Sequence, residues 1–195
     1  HSFPTRRSSD LIIGGGNIGR RVAALAQALG AKTQYYDVSR LPAEVERQYH
    51  VTFVPLDQLL ASSDLISIHV PLLGSTRHII GAEQLTVMKP SACLFNTARG
   101  GLIDDAALLE ALRHGRLSGA GLDCVEDEKS DVTARLLQCP NVIITPHIGG
   151  ATADLADAMI PFIAEKIVSL AEKGMMDDIV NRQWLPDSDK KINRL

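Results

Sequence analysis

The sequence reads as an α/β chain built on a doubly wound, mainly parallel sheet, and three observations predict it. The segment from Leu11 to Gly30 passes from an apolar strand through a glycine turn directly into an amphipathic helix. Runs of apolar β-formers at residues 64–70, 92–97, 118–123 and 141–147 alternate with segments of helical spacing, the pattern of parallel strands joined by crossover helices. The densest of these runs, Asp64-Leu-Ile-Ser-Ile-His-Val70, is rich enough in apolar β-formers to suit a buried parallel strand, one covered on both faces.

The first unit carries the most chemistry. Gly14, Gly16 and Gly19 form G-x-G-x-x-G. The first glycine permits a tight turn, the second lets a pyrophosphate approach the backbone, and the third lets helix pack closely on strand. Ile18, Val22, Leu25, Ala26 and Leu29 fall on one helical face, and Gly30 is a C-terminal stop. Thr33-Gln-Tyr-Tyr-Asp37 then reads as a second strand ending in a carboxylate, where a ribose 2′-hydroxyl would be gripped. A bare glycine motif can be an ordinary turn. Strand, turn, helix, strand and acid in this order predict a dinucleotide site in a Rossmann unit. Asp37 would repel a 2′-phosphate, which favours NAD over NADP, although Arg40 nearby argues the other way.

The remaining elements follow in order. His1 to Asp10 are polar and aperiodic and are expected to be a non-native leader outside the fold, resembling read-through of a sequencing-library adaptor. They contain neither an amphipathic helix nor a secretory apolar segment. Leu41 to His50 is a short helix or charged loop, Val51 to Val54 a short strand, and Leu56 to Ser63 a helix leading into the strand of residues 64–70, which Pro71 ends. The loop from Leu72 to His78 therefore leaves a carboxyl strand end, where ligands bind in open α/β sheets.

Gln84 to Pro90 is a connecting element and Ala92 to Thr97 a strand, whose exit sets Arg99 beside Gly100 and Gly101. Asp104 is an N-cap for a helix over 105–114 that stops at Gly115. Ser118 to Asp123 is a strand whose small residues allow close packing, followed by an acidic loop from Val125 to Asp131. Asn141 to His147 is the last strand and turn. Ala151 to Lys173 is a long helix with Leu155, Met159, Phe162, Ile163, Ile167 and Leu170 on one face, which Pro161 should kink or split. Residues from Asp187 onward read as a frayed tail.

Bulk properties narrow the function. The chain has 195 residues, 45% hydrophobic and 22% charged, enough for one domain of ordinary size and a fraction more. A net charge of −3 gives no reason to expect nucleic acid or an anionic membrane as partner, and no apolar run is long enough to span a bilayer. Cys93, Cys124 and Cys139 lack metal-ligand spacing, so no metal is expected and the thiols read as inert in a reducing, cytoplasmic compartment.

Gly-Gly-Gly-Asn-Ile-Gly at 14–19, Tyr-Asp at 36–37, His-Val-Pro-Leu at 69–72, Asn-Thr-Ala-Arg-Gly-Gly at 96–101, Gly-Leu-Asp at 121–123 and Thr-Pro-His-Ile-Gly-Gly at 145–150 occur in that order. On these motifs the chain resembles the NAD-binding half of the D-isomer-specific 2-hydroxyacid dehydrogenases, which include phosphoglycerate, D-lactate and glyoxylate/hydroxypyruvate enzymes. The resemblance covers roughly Leu11 to Asn181. It implies NAD as cofactor, a D-2-hydroxy acid or 2-oxo acid as substrate, and a homodimer through the NAD-binding domain.

The resemblance also implies Arg99, Glu128 and His147 as the catalytic arginine, acid and histidine. An arginine can hold a substrate carboxylate bidentately and polarise the adjacent carbonyl. A histidine can donate a proton to the carbonyl oxygen as hydride arrives, or remove it in reverse, and a neighbouring carboxylate raises its pKa and orients it. Taken singly, Arg99 reads as a surface charge, Glu128 as one of several solvated acids and His147 as a cap on the final helix. Lys129 stands where the family commonly has proline and the loop before His147 is short, so Glu126 remains an alternative acid.

For the cofactor, the resemblance implies Gly14, Gly16 and Gly19 in the turn, backbone contacts from Asn17 and Ile18, ribose contact by Asp37, and walls from Val70, Pro71 and Thr76. It puts Thr97, Ala98, Arg99, Asp123 and His147 on the nicotinamide side, with Gly149 and Gly150 completing the pocket. His69 is expected to pack or hydrogen-bond near the adenosine, and His50, His78 and His114 to be surface residues. The expected organisation is a leader over 1–10, a Rossmann domain over 11–150, and over 151–195 the remnant of a second, substrate-side domain. Other readings are a non-catalytic NAD-sensing module, as in co-repressors that resemble the family, and an inactive truncated domain.

Overall fold

The structure, a computed structural model, describes residues 9–173; the expectations for residues 1–8 and for the tail from Asp187 lie outside them. The chain divides into two units, the boundary falling after His147. In the first, seven strands form one sheet in the order β3-β2-β1-β4-β5-β6-β7, every neighbouring pair parallel. The strands are β1 (Ser9–Ile13), β2 (Lys32–Tyr36), β3 (Thr52–Phe53), β4 (Leu65–Ile68), β5 (Cys93–Asn96), β6 (Gly119–Leu122) and β7 (Val142–Ile144). Pairing of β1 with β2 begins at Ser9, so Ser9 and Asp10 of the expected leader take part in the sheet.

The strand order reverses between β1 and β4, which pair directly. Consecutive connections run one way from β1 and the opposite way from β4, and the loops part at their carboxyl ends to leave a crevice.

Helices α1 (Asn17–Ala28), α2 (Ala43–Tyr49), α3 (Leu56–Ser62), α4 (Ala82–Val87), α5 (Asp105–Arg113) and α6 (Asp131–Leu136) join the strands. The main core packs Ile66, Ile68, Leu94 and Leu122 of the sheet with Leu59, Leu60 and Leu108 of the helices. A second, smaller cluster gathers Ile12, Ala23, Tyr35 and Val51. Burying each such branched side chain contributes about 1.5–3 kcal/mol.

The chain departs from the sequence expectations at several points. The α1 face turned inward carries Gly19 and Ala23, while Ile18, Leu25 and Leu29 of the expected apolar face are exposed. Close contact with the glycine turn requires the glycine: a Cβ on Gly19 would lie 2.0 Å from the Gly14 carbonyl oxygen. Strand β4 is not covered on both faces, because Leu65 is 36% exposed while Ile66 and Ile68 are fully buried. Helix α6 was not expected; Ser130 starts it by accepting a hydrogen bond from the Thr133 amide at 3.1 Å.

Asp104 caps α5 as expected, accepting from the Ala107 amide at 3.0 Å. Gly30 and Gly115 follow α1 and α5 with φ of 90° and 64°, the left-handed conformation of a helix stop. In the second unit, α7 (Ala153–Lys173) is a single helix with Pro161 inside it, so the proline does not split it. Its Leu155, Met159, Phe162, Ile163, Ile167 and Leu170 are exposed.

Candidate active site

The glycine turn is shaped by its neighbours on the sheet edge. The Gly14 amide donates to the Tyr36 carbonyl at 2.8 Å and the His69 amide to the Ile13 carbonyl at 2.7 Å, stitching the exits of β1, β2 and β4 together. Gly14 has φ of 110°, and a Cβ there would lie 2.8 Å from the His69 carbonyl, so only glycine fits.

Gly16 is different, since a Cβ there would meet nothing within 4 Å. It precedes α1, whose first turn has no acidic residue and no side-chain cap. Amide groups of a helix N-terminus thus border an open space, an arrangement that accepts a diphosphate. Asn17 and Ile18 are exposed at this point, and the Asn17 side chain accepts from Arg20 Nη2 at 2.6 Å. Beside it, Asp37 Oδ2 accepts the Gly15 amide at 2.8 Å. The expected ribose acid therefore stands at the turn, and the residues present fit a pyridine dinucleotide.

On the next strands the ruling residue is Asn96, 1% exposed at the end of β5. Its Nδ2 donates to the Arg99 carbonyl at 2.8 Å and to the Cys124 carbonyl at 3.4 Å, while its Oδ1 accepts the Ala98 amide at 3.1 Å. One buried amide thus closes the loop carrying Thr97, Ala98 and Arg99 and ties it to the loop leaving β6. The two loops meet so closely that a Cβ on Gly100 would lie 2.0 Å from the Val125 carbonyl oxygen. The sequence carried a signal for this: a carboxamide closing an otherwise apolar strand must find partners if buried.

Arg99 is exposed and its Nη1 donates to the Ala98 carbonyl at 2.6 Å. Burial pushes the Cys124 thiol above its ordinary value; Asp123 raises it further, Arg99 opposes the rise, and Glu128 adds to it.

Glu126 has other partners. Its Oε1 pairs with Arg77 Nη2 and its Oε2 lies 3.0 Å from His78 Nε2. Its amide donates to Asp105 Oδ2 at 2.8 Å, and burial raises the Asp105 carboxyl above the usual range against the lowering effect of that hydrogen bond. His78, expected as an unpartnered surface residue, is thus half-buried and tied to the acidic loop, with a φ of 51°. His50 and His114 are exposed as expected.

Asp123 is buried, and Thr145 Oγ1 donates to its Oδ1 across β6 and β7. His147 follows two residues later, exposed, with φ of 54° and its amide donating to the Thr145 carbonyl at 2.9 Å. The loop after β4 carries Val70, Pro71 and Thr76. The Thr76 hydroxyl donates to the Pro71 carbonyl at 2.6 Å and accepts the Leu73 amide at 2.7 Å, so it shapes that loop from within. Gly149 and Gly150 are exposed in the second unit.

An apolar hollow of about 360 Å³ is lined by Ile12, Val22 and Ala26 together with Phe95 and His69. His69 Nε2 lies 2.8 Å from Ser67 Oγ, and burial pushes the imidazole pKa below its ordinary value. Cys93, Cys124 and Cys139 are free thiols.

Comparisons with known proteins agree with this geometry. Residues 4–149 match the family described as D-isomer specific 2-hydroxyacid dehydrogenase, NAD binding domain. The glyoxylate reductase of Thermococcus litoralis is 39% identical over 177 residues, 91% of this chain and 53% of that protein. The hydroxypyruvate reductase of Thermotoga maritima is 45% identical over 158 residues, covering 80% of this chain and 50% of that protein. A solved D-isomer specific 2-hydroxyacid dehydrogenase from Lactobacillus delbrueckii ssp. bulgaricus, in its NAD complexed form, superposes with a TM-score of 0.83 at 36% identity, covering 89% of this chain and 56% of that one. The chain spans about half the length of the curated relatives it matches. The glycine cradle, the aspartate at the end of β2 and the match over the whole sheet make NAD the cofactor, and the chain belongs to the D-isomer specific 2-hydroxyacid dehydrogenase family as its NAD binding domain.

Proposed function

We propose that this chain is the cofactor half of an oxidoreductase that transfers hydride between NAD(H) and a D-2-hydroxy acid/2-oxo acid pair. The observation that carries the reading is the Asn96 staple, which joins the Arg99 loop of β5 to the Cys124 carbonyl of β6. With β7 next in the sheet, Arg99, Glu128 and His147 leave three adjacent strands at one edge, and neighbouring strands are spaced about 4.8 Å apart.

NAD supplies the hydride acceptor or donor when bound. Arg99 holds the substrate carboxylate as a fork and draws electron density from the adjacent carbonyl. His147 gives a proton to the carbonyl oxygen during reduction and takes it from the hydroxyl during oxidation. Glu128 orients the imidazole and favours its charged form. Glu128 suits that role better than Glu126, because Arg77 and His78 already engage the Glu126 carboxylate. Wall contacts from Val70, Pro71 and Thr76, nicotinamide-side contacts from Thr97, Ala98 and Asp123, and closure by Gly149 and Gly150 belong to the same proposal.

The test is a steady-state assay of the full-length protein with NADH and a panel of 2-oxo acids, beside His147→Ala. Turnover that collapses in the variant with NADH affinity retained supports the reading, and unchanged turnover removes His147 from it. We also propose a cytoplasmic homodimer through the NAD-binding unit, supported by the exposed apolar row of Leu65, Phe95 and Ile143; sedimentation as a monomer would refute the dimer. Among the described residues no helix is long and apolar enough to cross a membrane.

A further inference from the structure

Arg40 lies three residues beyond Asp37, in the turn that leads from the end of β2 to α2. Leu41, its neighbour, packs against the glycine turn: a Cβ on Gly15 would lie 3.1 Å from Leu41 Cδ1. Arg40 therefore starts beside the ribose edge. A guanidinium there is the group a 2′-phosphate needs, since planar bidentate recognition of phosphate is an arginine property.

Its guanidinium is instead turned toward α2. Nε donates to Glu46 Oε1 and Nη2 to Glu46 Oε2, both at 2.9 Å, and the group lies 5.8 Å from the centroid of the Phe53 ring. The receiving carboxylate is itself held. Glu46 Oε1 accepts from the Tyr35 hydroxyl at 2.8 Å, and that hydroxyl accepts the Leu41 amide at 2.7 Å. The Glu46 side chain is only 12% exposed while Arg40 is 65% exposed, so the acceptor is fixed and the arginine comes to it. Burial and the bond to Glu46 push the Tyr35 hydroxyl up to about 12, which keeps it a donor.

We propose that Glu46 is a specificity-determining residue that holds Arg40 away from the ribose edge, denying a 2′-phosphate its cation and leaving Asp37 to select NAD over NADP. The latch acts on cofactor choice alone and touches none of the reacting atoms. It rests on the glycine loop binding NAD.

The experiment titrates this chain with NADH and NADPH and reads the ratio of the two dissociation constants in wild type, Glu46→Gln, Arg40→Met and the double variant. Glu46→Gln keeps an acceptor for Tyr35 and removes the charge that holds Arg40. It should tighten NADPH by about fivefold, the scale of one exposed charge pair, with NADH within about twofold of wild type. The gain should vanish in the double variant, and Arg40→Met alone should leave both affinities unchanged. The Arg40→Met arm stands even if the other variants fold poorly. An unchanged ratio in Glu46→Gln, a gain that survives loss of Arg40, or weaker NADPH binding by Arg40→Met alone would each overturn the proposal. If the wild type binds neither NADH nor 5′-AMP, the NAD reading itself fails and the proposal falls with it.

Discussion

The buried side-chain amide of Asn96 donates to the main-chain carbonyl of Arg99 at 2.8 Å. A surface arginine thus sits on a backbone whose position is set from inside the sheet. The same amide reaches the Cys124 carbonyl at 3.4 Å, so one buried side chain bonds to the loops of both β5 and β6.

Asn96→Asp keeps the acceptor for Ala98 and loses the donor, setting a carboxylate oxygen against two carbonyls. It should destabilise the chain by about 1–3 kcal/mol, read as a lower urea midpoint at unchanged slope. Wild-type stability would mean the staple contributes nothing.

Gly16 and Gly19 should respond to alanine in opposite ways. At Gly19 the new methyl would meet the Gly14 carbonyl at 2.0 Å, and overpacking of this kind costs about 1–3 kcal/mol or more. At Gly16 the methyl enters open space with φ of −66°, which alanine tolerates. Gly16→Ala should melt like wild type yet lose about tenfold or more in NADH affinity, because the methyl stands where the diphosphate approaches. Calorimetry of unfolding beside NADH titration separates the two.

Glu126→Gln and Glu128→Gln distinguish the two candidate acids. The Glu126 carboxylate is half-exposed between Arg77 and His78, so its loss should cost at most about 1 kcal/mol and leave turnover within a few-fold. Glu128→Gln should leave stability unchanged and lower kcat/KM for 2-oxo acid reduction in the full-length protein by about 10²-fold, the scale of general acid–base assistance. The reverse pattern would make Glu126 the acid.

His69 should make stability depend on pH. Burial depresses its pKa in the folded chain below the ordinary 6.5. The unfolded chain therefore takes up the proton first as pH falls. The contribution is complete above about pH 6.5 and is lost as pH drops through the folded value. Urea unfolding at pH 7.5 and 5.5 should show a smaller difference for His69→Gln than for wild type, and equal differences would remove His69 from the acid response.

Much of this was legible in one dimension. The parallel sheet, the glycine turn, Asp37, the Asp104 cap and the stops at Gly30 and Gly115 each follow from a local pattern, and each occupies its expected place. On α1 the apolar spacing favours Ile18, Leu25 and Leu29, which are exposed, whereas Gly19 is turned inward, where contact with the Gly14 carbonyl admits no side chain, and Ala23 is buried with it. Helix α6 escaped because its signal is a short stretch behind an acidic loop, with Ser130 as its one strong cue. His78 looked unpartnered because its carboxylate, Glu126, lies 48 residues away in sequence.

The succession of strands, most of the helices and the chemistry at the turn that receives a diphosphate are written in the amino-acid order alone. Periodicity and glycine stereochemistry act over a few residues, and a few residues suffice to express them. Which polar groups already have partners emerges in the fold: Glu126 with Arg77 and His78, Arg40 with Glu46, and the Arg99 carbonyl with Asn96. The first pairing needs loops from separate strands to meet at one edge, 48 and 49 residues apart in sequence; the other two join near neighbours, and it is the direction each side chain takes in the folded chain that makes them.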